Sequence, residues 1–500
     1  MVHENIVDLV DTHEGGVGFQ RTPKEELFLA AVTSFNEDTF YEAADERVQR
    51  IQELTKHPDT INDPEWTLNF VRWLRHVTGL RSIPAVVAVS AVGARLNKGL
   101  INNNRQIIKA AVGRLDECSS VLETWMSLYG RRIPSCVKRG VADALNTYLS
   151  EVSYLKWSGR INRSAITLRD VINLTHPQPK QEALIKYVLD NSYGKKGDDT
   201  QLPIISARRK FLSLNRDKQI CLLTGPDARK VICEAALTHE VVAGAIGQIT
   251  GKVWEVLVPD MGYTALRMNL RRIAQSNPSQ DLINMVNMRL CEPDKYTLPV
   301  SLYSAYKNVP LVFVCALENA ANTCLENIPA LKGRTLVLLD RSYSMSSRLS
   351  TRSGITYQDV ANVFAAALSL RGEDVRVVAF DDYTQEVHID SKDLLRIVER
   401  MPYPRGGTST ANAIIDAHKE GEMYERIVIL TDEQNDDGSV DYVLDKFAPG
   451  VPVFTWSLVG YKAAHTSSRY NRWTFGGLSD KGFQIIPLLE ACGKRSWPWE

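Results

Sequence analysis

One change of periodicity constrains this chain more than any other feature. From about residue 24 to 325, apolar residues recur at i, i+3, i+4 and i+7 in "PKEELFLAAVTSF", "DPEWTLNFVRWLRHVTGL", "NRQIIKAAVGRL" and "CVKRGVADALNTYLSEV", the spacing of helices with one buried face. Short breaks at "RSIP", "NKGLINN" and "YGRRIPS" separate them. After "ALENAANTCLENIPALKG" the pattern becomes short β-rich runs, "RTLVLLD", "DVRVVAFDD", "YERIVILTDE" and "VPVFTWSLVG". Helical stretches such as "TYQDVANVFAAALSL" and "TANAIIDAHKE" lie between them. This alternation predicts a mostly parallel sheet covered by helices on both faces. The expected organisation is a mainly α domain over residues 1–332, built of stacked helical pairs, and an α/β Rossmann-like domain over residues 333–500. No clean repeat of fixed period marks the helical part, so its solenoid character rests on element type.

Length supports this division, because 500 residues exceed what one core organises. The longest apolar run, "IPAVVAVSAVGA", is far short of the ~20 residues of a membrane span, so no membrane partner is expected. The N-terminus lacks the apolar segment of a signal peptide. Eight cysteines are scattered with no CxxC pair, which fits a reducing compartment and predicts a cytoplasmic protein.

The formal net charge is zero, but its parts are unequal. Residues 1–65 carry 5 Lys and Arg against 15 Asp and Glu, whereas residues 66–275 carry 31 against 16. A middle segment this basic is a candidate footprint for a polyanion. A large Arg-rich helical domain that pairs its charges internally would give the same count.

The stretch "LVLLDRSYSMSS" ends an apolar strand in Asp340, Ser342 and Ser344. Alternate residues of an extended segment project to one side, so the three can face a common point. Ligands of parallel sheets sit at the carboxyl ends of the strands. There "RGGTST" adds Thr408 and "ILTDEQ" adds Asp432. Hydroxyls and two carboxylates form a hard-oxygen set suited to a divalent cation, Mg²⁺ above all. The alternative is an ordinary capping turn beside unrelated loops. The acidic run "DEQNDD" that follows is read as a solvated loop, in which Asp432 alone has the strand-end position.

Asp-x-Ser-x-Ser, then Thr, then Asp, on a Rossmann-like frame, resembles the metal-ion-dependent adhesion site of von Willebrand factor A domains. The segments "THEGGVGFQ", "WLRHVTGLRSIPAVV", "YGRRIPSCVKRGVADALNTY", "LKWSGRINRSAITLRDVINLTHPQP" and "PDMGYTALRMNLRRI" resemble, in this order, the TROVE module of the Ro ribonucleoproteins. Those proteins also end in a von Willebrand A domain, and the likeness spans roughly residues 5–490, the compact chain being more like bacterial relatives. The resemblance implies a ring of HEAT-like repeats that binds small noncoding Y RNA on a basic outer face. It also implies entry of single-stranded 3′ ends of misfolded RNA into a central hole, and, in bacteria, a Y RNA that tethers a 3′ exoribonuclease. The residues carried over are Lys138 and Arg139 of "VKRGVADAL", Lys156 and Arg160 of "LKWSGR", and His176 of "NLTHPQP", with Arg163 and Arg169 in a spacer longer than usual.

Lys and Arg on a helix contact phosphates without reading sequence, and His176 or Trp157 can meet an unpaired base. Against this, His176 before Pro177 can simply close a turn, and Lys138 and Arg139 can pair with Asp143. Trp66, Trp73 and Trp125 have the spacing of core residues, and "GGVGF" is too short for a phosphate loop. No GxSxG, Walker A, HExxH or Cys/His pair is present, so an enzyme is not expected. Two functions remain: a non-catalytic RNA-binding scaffold, and a protein-interaction scaffold whose metal captures a partner carboxylate.

Overall fold

Local chemistry sets the start of the helix that opens the helical unit. Asp63 accepts the backbone N–H of Trp66 at 3.0 Å and Pro64 occupies the first turn, which begins a helix over Pro64–His76. Trp66, Phe70, Val71, Trp73 and Leu74 turn inward, and Trp125 of Glu117–Tyr129 is buried likewise, so all three tryptophans are core. A capping box between Thr167 and Asp170 opens the helix Leu168–Thr175. The computed structural model describes residues 9–11, 17–32, 44–161, 163–178, 180–294, 297, 299–350, 354–418, 421–467, 471–477, 483, 486–487, 490 and 497–499. Gly15 and Gly16 of "GGVGF" and the side chain of Arg160 lie outside them.

The chain divides into two compact units. One comprises Asp63–Lys295 with Asn308–Leu317 and is helical throughout its described residues. Its helices pack mainly against those one or two places along the chain, the neighbour-to-neighbour logic of helical repeats. Among the described residues no helix is long and apolar enough to cross a membrane.

The other unit comprises Met1–Asn62, Tyr296–Lys307 and Glu318–Glu500, so it recruits segments from well before residue 332. An antiparallel ribbon joins β1 (Leu9–Asp11) to β2 (Val17–Phe19). Among the described residues the main sheet has six strands: β3 (Leu331–Asp340), β4 (Gly372–Phe380), β5 (Thr384–Val387), β6 (Arg426–Thr431), β7 (Val453–Ser457) and β8 (Arg472–Gly476). Their order is β5-β4-β3-β6-β7-β8, parallel except for the edge strand β5. Strand alternation splits the side chains between two faces. Leu336, Leu338, Val378, Phe380, Ile427 and Ile429 form one core with the helices Thr410–His418 and Val440–Phe447. The helix Tyr357–Arg371 packs on β3, β4 and β6 as well, and its Phe364 meets Trp456 edge-on at 5.4 Å.

The N-terminal helix Pro23–Val32 is part of this unit because its Leu29 and Val32 lie against Gly476 at the end of β8, so closely that a Cβ there would collide with Leu29, and Val32 also closely lines Gly477. Leu27, Phe28, Leu29, Ala30 and Ala31 are buried there.

Candidate functional site

Asp340 ends β3 fully buried, and the chain turns so that its own carboxylate caps the turn: Oδ1 accepts the Ser342 N–H at 2.8 Å. The Ser342 and Ser344 hydroxyls lie 3.1 Å apart. Across the strand boundary, the Thr431 hydroxyl at the end of β6 donates to Asp340 Oδ2 at 2.5 Å. The next residue, Asp432, is also fully buried; its Oδ1 accepts the Gln434 N–H at 3.2 Å, and its Oδ2 has no hydrogen-bond partner among the described residues. Thr408 is buried on the loop that precedes the helix Thr410–His418. That loop is laced to the first one, with Tyr343 N donating to Gly406 O at 3.1 Å and Arg405 N to Arg341 O at 2.7 Å. The structure thus brings all five residues to the carboxyl end of the sheet.

Two buried carboxyls side by side resist ionisation. Burial, reinforced by the charge of Asp340, pushes the Asp432 carboxyl up to about 7. Burial likewise raises Asp340, against the opposing hydrogen bonds from Thr431 and Ser342. A divalent cation would reverse this preference. Clustered hydroxyls and a buried carboxylate oxygen without a partner fit a hard cation that keeps several waters. Among the described residues no group of three or more His, Cys, Asp or Glu has metal-site geometry, so the hydroxyl-rich set is a different kind of donor cluster.

The loops are held from outside by ion pairs. Asp381, just past β4, forms an ion pair with Arg341, Nε at 2.9 Å, and accepts a hydrogen bond from Arg405 Nε at 2.8 Å. Gly406 has φ of 68°, and a Cβ there or at Gly407 would run into the Asp382 and Asp436 carboxylates. The reading of "DEQNDD" as a solvated loop is corrected here, since residues 432–435 are all buried. Asp436 accepts the Thr408 N–H at 3.0 Å, and Asp437 accepts those of Ala411 and Asn412 at 3.1 and 2.9 Å, closing the start of the helix. The run is acidic because it folds back to anchor the Thr408 loop.

Glu433 occupies left-handed backbone with φ of 67°, and its N–H donates to Thr431 Oγ1 at 2.9 Å. Its carboxylate is fully buried between the Arg21 guanidinium and His465 Nδ1, the latter at 3.2 Å. Burial alone would raise this carboxyl, but Arg21 and the His465 hydrogen bond outweigh it and bring it to about 2. Sequence reasoning missed Arg21, Asp381, Thr431, Glu433, His465, Asp436 and Asp437. Of these, Asp381 had a visible signal, because "AFDD" also ends an apolar strand.

Comparison with known proteins now bears on this geometry. A family model described as the Ro60 vWA domain matches residues 334–443, the span that holds all five oxygen donors. A crystal structure of the Deinococcus radiodurans RO (RSR) protein superposes with a TM-score of 0.65 at 18% identity, covering 94% of this chain and 100% of that one. This chain has the Ro fold and a Ro60-type von Willebrand factor A domain. No curated protein matches the sequence.

In the helical unit of this Ro fold the basic residues sit on three successive helices or just beyond their ends. Lys138 is half-buried and Arg139 exposed on Ser135–Tyr148. Neither pairs with Asp143, which is held bidentately by Arg105 at 2.6 and 2.7 Å. Lys156 is exposed on Glu151–Ile161, with Nζ 5.1 Å from the centre of the Trp157 ring. The Arg114 guanidinium lies 4.1 Å from the same ring, so Trp157 already serves as a cation platform. Arg163 is exposed and donates to Gly159 O at 2.9 Å. Arg169 pairs with Asp170 at 3.3 Å and approaches the exposed Tyr193 ring at 5.7 Å. His176 ends the helix Leu168–Thr175 in left-handed backbone, φ 46°, with its side chain exposed. It closes the turn and leaves the imidazole accessible.

Proposed function

We propose that this protein is a non-catalytic RNA-binding scaffold of the Ro type. It would hold a small Y-type noncoding RNA through Lys138, Arg139, Lys156, Arg160, Arg163, Arg169 and His176, and take the single-stranded 3′ end of misfolded or structured RNA. Its role would be RNA quality control in the cytoplasm, with the small RNA serving to tether a 3′ exoribonuclease. The observation that carries this reading is the exposure of Arg139, Lys156, Arg163 and His176 on one stretch of a Ro-fold chain whose sequence segments resemble the TROVE module. Exposed cations near an accessible imidazole and half-exposed aromatic rings are what phosphate contact and base contact require.

The A domain would bind Mg²⁺ through Ser342, Ser344 and Thr408, with Asp340 and Asp432 balancing its charge. The bound ion would offer an exchangeable coordination position to an anionic oxygen. A second reading, capture of a partner carboxylate there, is favoured by Tyr343, which is 65% exposed between the two serines, since tyrosine is enriched among the anchors of protein interfaces.

The test is binding of a stem-containing small RNA by fluorescence anisotropy. Neutralising Lys156 and Arg139 together with His176→Ala is expected to weaken binding at least tenfold, given about 1–3 kcal/mol per good contact. Asp340→Ala should leave it nearly intact. Unchanged affinity in the first variant would move the RNA site elsewhere.

A further inference from the structure

The metal loop is locked by a residue more than four hundred positions away. Arg21 donates to Glu433 Oε2 in a fully buried ion pair, and its guanidinium also reaches Ala463 O at 3.3 Å. Arg50, from the helix Ala44–Lys56, fixes the same return segment by donating to Gly460 O at 2.7 Å. Glu433 in turn connects to the Asp340 carboxylate through hydrogen bonds: its N–H to Thr431 Oγ1, and Thr431 Oγ1–H to Asp340 Oδ2. Glu433 also stands next to Asp432 in left-handed backbone that a non-glycine residue adopts only when its surroundings impose it. The Glu433 side chain, held by Arg21 on one oxygen and His465 on the other, imposes it.

We infer that Arg21 is a positioning residue for the metal site, and that the N-terminal segment acts as a strap holding the Thr431–Asp432–Glu433 corner in its liganding shape. The A domain bounded by residues 334–443, or by a cut at 332, therefore lacks part of what shapes its own site. This rests on the proposal that the site binds a divalent cation. Groups that orient metal ligands through hydrogen bonds commonly change affinity by about 10–100-fold when lost.

The experiment compares full-length wild type, Arg21→Ala and Arg21→Lys by Mn²⁺ titration followed by electron paramagnetic resonance, and by amide hydrogen exchange without metal. Arg21→Ala is expected to weaken Mn²⁺ binding about tenfold or more, and to speed exchange at residues 431–435. Arg21→Lys keeps the charge and a single donor, so it should recover part of both effects while remaining folded. Unchanged affinity together with unchanged exchange in Arg21→Ala would overturn the strap. If wild type binds no Mn²⁺, the metal reading fails, and the exchange comparison alone still decides whether Arg21 holds the corner.

Discussion

Thr431 Oγ1 lies 2.5 Å from Asp340 Oδ2, joining the ends of β6 and β3 at the point where the two buried carboxyls meet. The same oxygen receives the Glu433 N–H, so one hydroxyl orients Asp340 and closes the corner after Asp432. Thr431→Val keeps the shape and removes both bonds. It is expected to lower Mn²⁺ or Mg²⁺ affinity about tenfold, measured by titration calorimetry, while Thr431→Ser largely restores it. Wild-type affinity in the valine variant would show that the hydroxyl has no orienting role.

The metal-free protein should lose stability as pH rises from about 4 to 7. Asp432 keeps its proton in the folded state up to about 7, against an ordinary value of 3.8. Across that window the folded chain binds more protons than the unfolded one, so raising the pH favours unfolding. Above it the contribution is constant. Melting curves in chelator should show this decline, and Asp432→Asn should flatten it. Added Mg²⁺ should restore stability most at the alkaline end, where the carboxylate is ionised.

Gly407→Ala is expected to destabilise the A domain by about 1–3 kcal/mol, because its Cβ has no room beside Asp436 and Asp382. Since Asp436 also holds Thr408, metal affinity should fall with it. Denaturant midpoints and metal titration of the same variant check both. A variant that matches wild type in both would mean that the loop relaxes without loss.

Much of this was legible locally. Four apolar runs became β3, β4, β6 and β7, because buried parallel strands need continuous apolar sequence. The buried places of Asp340 and Asp432 followed from their strand-end positions, and that of Thr408 from a glycine-rich loop before a helix. The edge strand β5, "TQEV", and β8, "RWTFG", were not legible, since neither carries such a run. Nor was the membership of residues 1–62 in the sheet-bearing unit. The Arg21–Glu433 pair spans 412 positions, and helical periodicity around Pro23–Val32 records a buried face without recording what covers it. Glu433 was misread for the same reason, as an acid in a polar loop looks solvated until its cation is located.

The basic helices pose the parallel problem, since charge counts do not distinguish paired from available cations. Asp143 went to Arg105 and left Lys138 and Arg139 without it, whereas Arg114 is committed to Asp116 at 2.6 Å.

The most direct test of the central claim is the salt dependence of binding to a small RNA with a duplex stem and a single-stranded 3′ tail. Log affinity should fall linearly with log salt concentration, weaken when the tail is removed, and show a shallower slope in a variant lacking Arg139 and Lys156. No binding at low salt, or a slope unchanged by those substitutions, would contradict an RNA-holding role for the helical unit.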